Sequence, residues 1–237
     1  DNRFMNTAAA TSAQTDVGLR AYMLGVYNHM TTALLLTGFF AFATKWAVLK
    51  VAGLGQLVYG TPLKGAMMLA PLGMVIWLPA RIHRVSATKA RNLFYIYGAI
   101  MGLSLASILL VYTGASVARA FFITAGAFAG LSLYGYSTKR SLSAMGSFMI
   151  IGLFGLIIAS IVNIFMASTQ MEFVISVGGV LIFAGLTAWD TQRIKSMYMA
   201  GDSREVSAKK SIFGALTLYL DFINMFLFIL RLFGNRE

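Results

Sequence analysis

Seven apolar stretches, about Tyr22–Thr44, Ala66–Ala80, Leu93–Thr113, Arg119–Tyr136, Ala144–Met166, Phe173–Trp189 and Ile212–Phe233, decide what this chain can become. They run for about 15 to 23 residues each, and about 20 residues of α-helix cross the roughly 30 Å hydrocarbon layer of a bilayer. A membrane-spanning strand stops near 10 residues and alternates with period two, a pattern these runs lack. The fold class is therefore all-α: a polytopic membrane protein of seven transmembrane helices. Met30–Ala43 has the length of a signal-peptide core, and Ala41-Phe42-Ala43 looks like a cleavage site. The run starts late and six more follow, so it is read as a span. Only 11% of the chain is charged, where a soluble domain carries about 25%. The absence of cysteine excludes disulfides, thiolate metal sites and cysteine catalysis.

The net charge of +11 would suggest nucleic acid in a soluble protein. Here the basic residues fall mainly in short connections between apolar runs, where they orient the chain and touch anionic lipid head groups, so no nucleic-acid partner is expected. Placing the N-terminus in the cytoplasm puts 13 Lys and Arg inside and six outside. That bias predicts a cytoplasmic N-terminus and a C-terminus on the far side. Residues 1–19, polar and rich in small side chains at their start, read as a flexible cytoplasmic tail, and 20–237 as the transmembrane domain.

Of eight acids, six lie in tails, loops or at a span edge. Asp190 and Asp221 remain. The sixth run is short for a crossing, so its helix should continue through Asp190 and Arg193, leaving Asp190 near the cytoplasmic end. Asp221 lies ten positions after Ser211, about 15 Å along a helix. The two helices are consecutive and antiparallel, so they can bring both carboxylates together in the inner half of the bundle. An ionised carboxylate there must pair, take up a proton or bind a cation. Like-charge repulsion and desolvation favour one proton held between the two. Deprotonated, the pair is an oxygen-rich site suited to transient Ca²⁺ binding, with Asp190 and Asp221 as the metal-facing residues. The bland alternative pairs Asp190 with Arg193 at i+3 and bonds Asp221 to Asn224 or nearby backbone as packing glue.

All three prolines fall in Pro62–Pro79. The second span should accordingly be kinked or broken and easier to move than its neighbours, which makes it the gate candidate. Arg81 at its cytoplasmic end can form a competing salt bridge with the acid pair, or simply snorkel. Gly98-xxx-Gly102 and Gly126-xxx-Gly130 are patterns that permit close helix approach. The 14 methionines are scattered filler without thioether clustering, and His29 and His83 are more often satisfied surface histidines than ligands.

The segment Leu133 to Leu142 with Met145-Gly146-Ser147-Phe148, then Ile161-Val162-Asn163-Ile164-Phe165, Trp189-Asp190-Thr191-Gln192-Arg193-Ile194 and Leu218-Tyr219-Leu220-Asp221-Phe222-Ile223-Asn224 resemble the Bax-inhibitor family, also called the transmembrane Bax-inhibitor-motif family, in a bacterial form. The likeness covers about Arg20 to Gly234. It implies six helices around a central seventh and a pH-dependent calcium leak in the bacterial inner membrane. The family's proton-sensing aspartates fall on Asp190 and Asp221, and its second-helix arginine on Arg81, with Arg84 as the alternative. The basic C-terminal tail of eukaryotic members is missing.

An intramembrane aspartyl protease also needs two aspartates on adjacent spans, but its second one follows Gly-x-Gly, and here Tyr219-Leu220 precedes Asp221. The expectation is that the chain is not an enzyme and carries no cofactor, its partners being membrane lipids, calcium ions and protons. A proton- or calcium-coupled exchanger and a non-transporting membrane scaffold remain as other readings; exchangers commonly show paired discontinuous helices, and only one proline-rich span is present.

Overall fold

A computed structural model describes the backbone of residues 2–82 and 84–235, and the side chains within that range except those of 2–15, 68, 72 and 82. The described chain is a helix bundle: α1 (Asn2–Lys50), α2 (Leu54–Tyr59), α3 (Leu63–Ile82), α4 (Ala87–Val111), α5 (Gly114–Ser137), α6 (Ser143–Met166), α7 (Thr169–Ser196) and α8 (Arg204–Phe233). All but α2 are long and apolar enough to cross a membrane. The protein is an all-α polytopic membrane protein. Helix α1 is continuous from Asn2, through the stretch that reads as a tail in sequence; its Ala8-Ala9-Ala10 run has the highest helix propensity of any residue type.

Local chemistry explains the helix starts. Ser86, Thr113, Ser168 and Ser203 sit in extended conformation ahead of α4, α5, α7 and α8, and each accepts a hydrogen bond from the backbone N–H three residues on. That satisfies one of the orphan donors of each first turn. Glu205 adds a tertiary version: its Oε1 accepts from the Ala87 N–H at 2.7 Å, so the first turn of α8 also holds the first turn of α4. Between α1 and α2 the chain turns through Gly53 at φ 79°, a left-handed conformation cheap only for glycine.

Of the expected kink or break in the second span, the break does not occur. Pro71 and Pro79 lie inside α3, which runs unbroken from Leu63 to Ile82. Each proline deletes one hydrogen bond, and the neighbouring bonds of the ladder carry the helix past it. Helix α3 is nonetheless lightly held: it packs along α4, with slighter contacts to α2 and α8.

Helix α8 packs against α1, α3, α4, α5 and α7. In its most apolar window 61% of residues are buried, against 39% in α7 and 6% in α6. A crossed aromatic cluster surrounds it. Tyr219 meets Phe94 and Tyr97 edge-on at 5.6 and 5.8 Å between centroids, and Phe222 meets Phe121 and Phe128 at 5.7 and 5.6 Å. These pairs fix the rotation of α8 on both sides of Asp221.

The two glycine pairs part company. A Cβ on Gly98 would stand 2.9 Å from the Ala33 carbonyl oxygen and one on Gly102 would overlap the Thr37 carbonyl, so both glycines let α4 touch α1 backbone. Gly126 and Gly130 have nothing within 4 Å of that position. Close approach on α5 falls instead to Gly135, where a Cβ would overlap the Ala188 carbonyl of α7.

Candidate functional site

The register of α7 on α8 sets the site. Gly214 lies against Ile194, and Gly179 against Phe228, as expected of antiparallel neighbours. Four residues along each helix from the Ile194–Gly214 contact bring Asp190 level with Leu218, three positions short of Asp221. One helical turn separates the two acids along the axis, a gap that two carboxyl arms span. In the structure the carboxyl groups of Asp190 and Asp221 are within hydrogen-bonding reach of each other. Both residues are 5% exposed.

The polar environment of the pair is sparse. Arg193 Nη2 lies 3.4 Å from Asp190 Oδ1, and the guanidinium also stacks over the Trp189 ring at 4.9 Å. That oxygen, and Oδ2 of Asp221, have no hydrogen-bond donor among the described residues. Asn224 does not reach Asp221: its Nδ2 donates 2.8 Å back to the Leu220 carbonyl on its own helix. Of the bland reading, then, the Arg193 contact is present and the Asn224 contact is not.

Neither Arg81 nor Arg84 is brought to Asp190. Arg81 is exposed in the last turn of α3, its guanidinium over the Trp77 ring one turn back at 5.7 Å. Arg84 is exposed in the following turn, where its backbone N–H donates to the Arg81 carbonyl. The described ion pairs are Arg193–Asp190, Lys209–Glu205 and Lys210–Asp202. His29 Nδ1 sits 2.8 Å from the Tyr95 hydroxyl, and His83 lies outside the described residues. No group of three or more His, Cys, Asp or Glu suited to a metal occurs among the described residues.

Side chains that sequence reasoning passed over lock α7 in place beside Asp190. The Thr191 hydroxyl is 3.0 Å from Ser132 Oγ, which is 2.6 Å from the Tyr27 hydroxyl, so α7, α5 and α1 meet at three hydroxyls. Gln192 accepts from the Leu142 N–H at 2.8 Å and donates to the Arg140 carbonyl at 2.9 Å. Lys195 donates to the Tyr136 carbonyl at 2.7 Å. On α8, the buried Tyr219 hydroxyl lies 2.7 Å from Thr37 Oγ1, which also reaches the Gly98 carbonyl at 2.9 Å. The signal for the first group was its adjacency to Asp190 in Trp189-Asp190-Thr191-Gln192; Thr37 gave none, being one threonine in an apolar run.

Two cavities of about 500 and 490 Å³ lie toward opposite ends of the bundle, the first between α1 and α5 and the second among α1, α4, α5 and α8, and neither is lined by Asp190 or Asp221. At 5% exposure each, the two acids lie within the packed helices.

Comparison with known proteins agrees with this architecture. The family described as "Inhibitor of apoptosis-promoting Bax1" matches residues 19–237. The chain is 47% identical over 231 residues to an uncharacterized protein of Rickettsia prowazekii, covering 98% of this chain and 96% of that one. It is 45% identical over 227 residues to the inner membrane protein YbhL of Escherichia coli, covering 94% and 95%.

Proposed function

The chain belongs to the Bax-inhibitor family, and from that premise we propose that this multi-pass inner membrane protein is a pH-sensitive, calcium-permeable leak gated by the Asp190–Asp221 pair. The observation that carries the reading is the meeting of two buried carboxyl groups from α7 and α8, each with an oxygen that no donor serves. With one proton between them the carboxyls form a hydrogen bond that draws α7 and α8 together, and the bundle is closed. Loss of that proton leaves two facing anions with Arg193 as the nearby cation. Their repulsion loosens the packing around α8 and offers oxygens to a hard divalent cation. Helix α3, resting mainly on α4, is the span that moves at least cost. Arg81, or Arg84, then approaches Asp190 only in a state in which α3 has shifted. The N-terminus faces the cytoplasm and the C-terminus the far side, following the basic residues. No reaction is catalysed and no cofactor is held.

The test is Ca²⁺ efflux from loaded proteoliposomes into calcium-free buffer, with no sodium or proton gradient. A leak gives efflux at neutral pH that falls on acidification. Efflux that needs an imposed counter-ion gradient identifies an exchanger, and no efflux above protein-free vesicles ends the transport reading.

A further inference from the structure

We propose that the groove between α1 and α5 at the bundle's basic end is a binding site for one anionic phospholipid, its phosphate on Arg20 and one acyl chain in the groove. The groove has a volume of about 500 Å³ and runs from Arg20 past Tyr27 to Met30 on α1, and from Tyr136 past Ser132 to Phe128 on α5. Its size and length fit one chain of one leaflet. Arg20 to Met30 spans ten residues, about 15 Å of helix, which is half of the roughly 30 Å hydrocarbon core.

The head-group end carries the charge. Arg20 is exposed at the mouth of the groove and forms no ion pair among the described residues; Asp16, one turn earlier, is exposed and does not pair with it. Tyr136, at the same mouth, has Lys195 4.7 Å over its ring. A guanidinium binds phosphate oxygens through paired, charge-assisted hydrogen bonds, which a zwitterionic choline lipid answers less well because its own cation competes. Among the described side chains most of the basic residues, including Arg91, Arg140, Arg193 and Lys195, lie toward this end of the bundle, so an anionic lipid is also the species the local field concentrates here. The floor of the groove is the Tyr27–Ser132 hydroxyl contact, where α1 and α5 join.

The test needs no transport readout and stands apart from the leak proposal. Native mass spectrometry of the purified full chain is run with equal amounts of dioleoylphosphatidylglycerol or dioleoylphosphatidylcholine, which share acyl chains and differ in head charge. The site predicts about tenfold tighter retention of one phosphatidylglycerol, the scale of one charge-assisted contact. Arg20→Gln should bring the two lipids level. Ala129→Trp, a lipid-facing change that fills the groove, should reduce both. Arg231→Gln, an exposed cation at the opposite end, should leave the preference intact. Circular dichroism and gel filtration check that each variant is folded. Equal retention in the wild type, an undiminished preference in Arg20→Gln, wild-type retention in Ala129→Trp, or an equal loss in Arg231→Gln each overturns the proposal.

Discussion

Replacing Thr37 with valine preserves the side chain's shape and deletes one hydroxyl, which makes it a clean probe of how α8 is held. Thr37 Oγ1 lies 2.9 Å from both the Ala33 and Gly98 carbonyls and 2.7 Å from the Tyr219 hydroxyl. The two carbonyls keep their helical partners in the variant. The Tyr219 hydroxyl does not: the residue is 0% exposed, so water cannot replace Thr37. A buried polar group left without a partner costs about 1–3 kcal/mol, and the loss should fall in that range. For a chain of this length each kcal/mol moves the melting temperature by about 2–4 °C, so Thr37→Val should melt roughly 2–12 °C lower in detergent, followed by tryptophan fluorescence. Tyr219→Phe alone should cost about 1 kcal/mol. In the double variant neither hydroxyl remains, and its loss should fall short of the sum by about 0.6–1.7 kcal/mol, the average and maximum measured for hydrogen bonds between membrane helices. Losses that add to within about 0.3 kcal/mol would refute the Thr37–Tyr219 hydrogen bond as a tie between α1 and α8.

Gly98→Ala should destabilise by about 1–3 kcal/mol because its methyl group meets the Ala33 carbonyl, whereas Gly126→Ala, facing open space, should be neutral or gain up to about 1 kcal/mol of helix propensity; unfolding in denaturing detergent gives the ordering. Glu205→Ala removes the acceptor for the Ala87 N–H while Ser86 still caps α4, so a loss of about 0.5–2 kcal/mol is expected, read as faster amide exchange confined to the first turn of α4. Arg193→Gln removes the one cation in contact with Asp190, leaving the ionised pair unsupported; Ca²⁺ efflux at neutral pH should drop severalfold while efflux at acid pH stays at its low level, and a variant as fast as wild type at neutral pH would show that Arg193 has no part in opening.

The spans were legible because a bilayer imposes its thickness on every crossing helix, so apolar runs mark them whatever the packing. Their ends were not. The sequence reading carries the sixth helix from Phe173 through Arg193 and starts the seventh at Ile212, while α7 runs from Thr169 to Ser196 and α8 begins at Arg204. Polar residues with good helix propensity and a Ser203 cap extend a helix beyond the hydrocarbon, and hydropathy is blind to that. The meeting of Asp190 and Asp221 was readable from adjacency: consecutive antiparallel helices leave few registers. The partners of each acid depend on side-chain direction, which spacing does not give. Asn224 and Arg193 are both supporting polar residues in the sequence reading, yet Asn224 turns back to Leu220 and Arg81 turns to Trp77, while Arg193 is the cation beside Asp190. The glycine pairs make the same point. Gly98-xxx-Gly102 and Gly126-xxx-Gly130 are identical as patterns, yet only the first faces a neighbouring backbone.

The switch itself is tested most directly by Ca²⁺ efflux from proteoliposomes at acid and neutral pH with wild type, Asp190→Asn and Asp221→Asn reconstituted side by side. If the two carboxyls share the gating proton, wild type is fast at neutral pH and slow at acid pH, and each asparagine variant loses that dependence. A pH response of wild-type size in both variants would contradict gating by the Asp190–Asp221 pair.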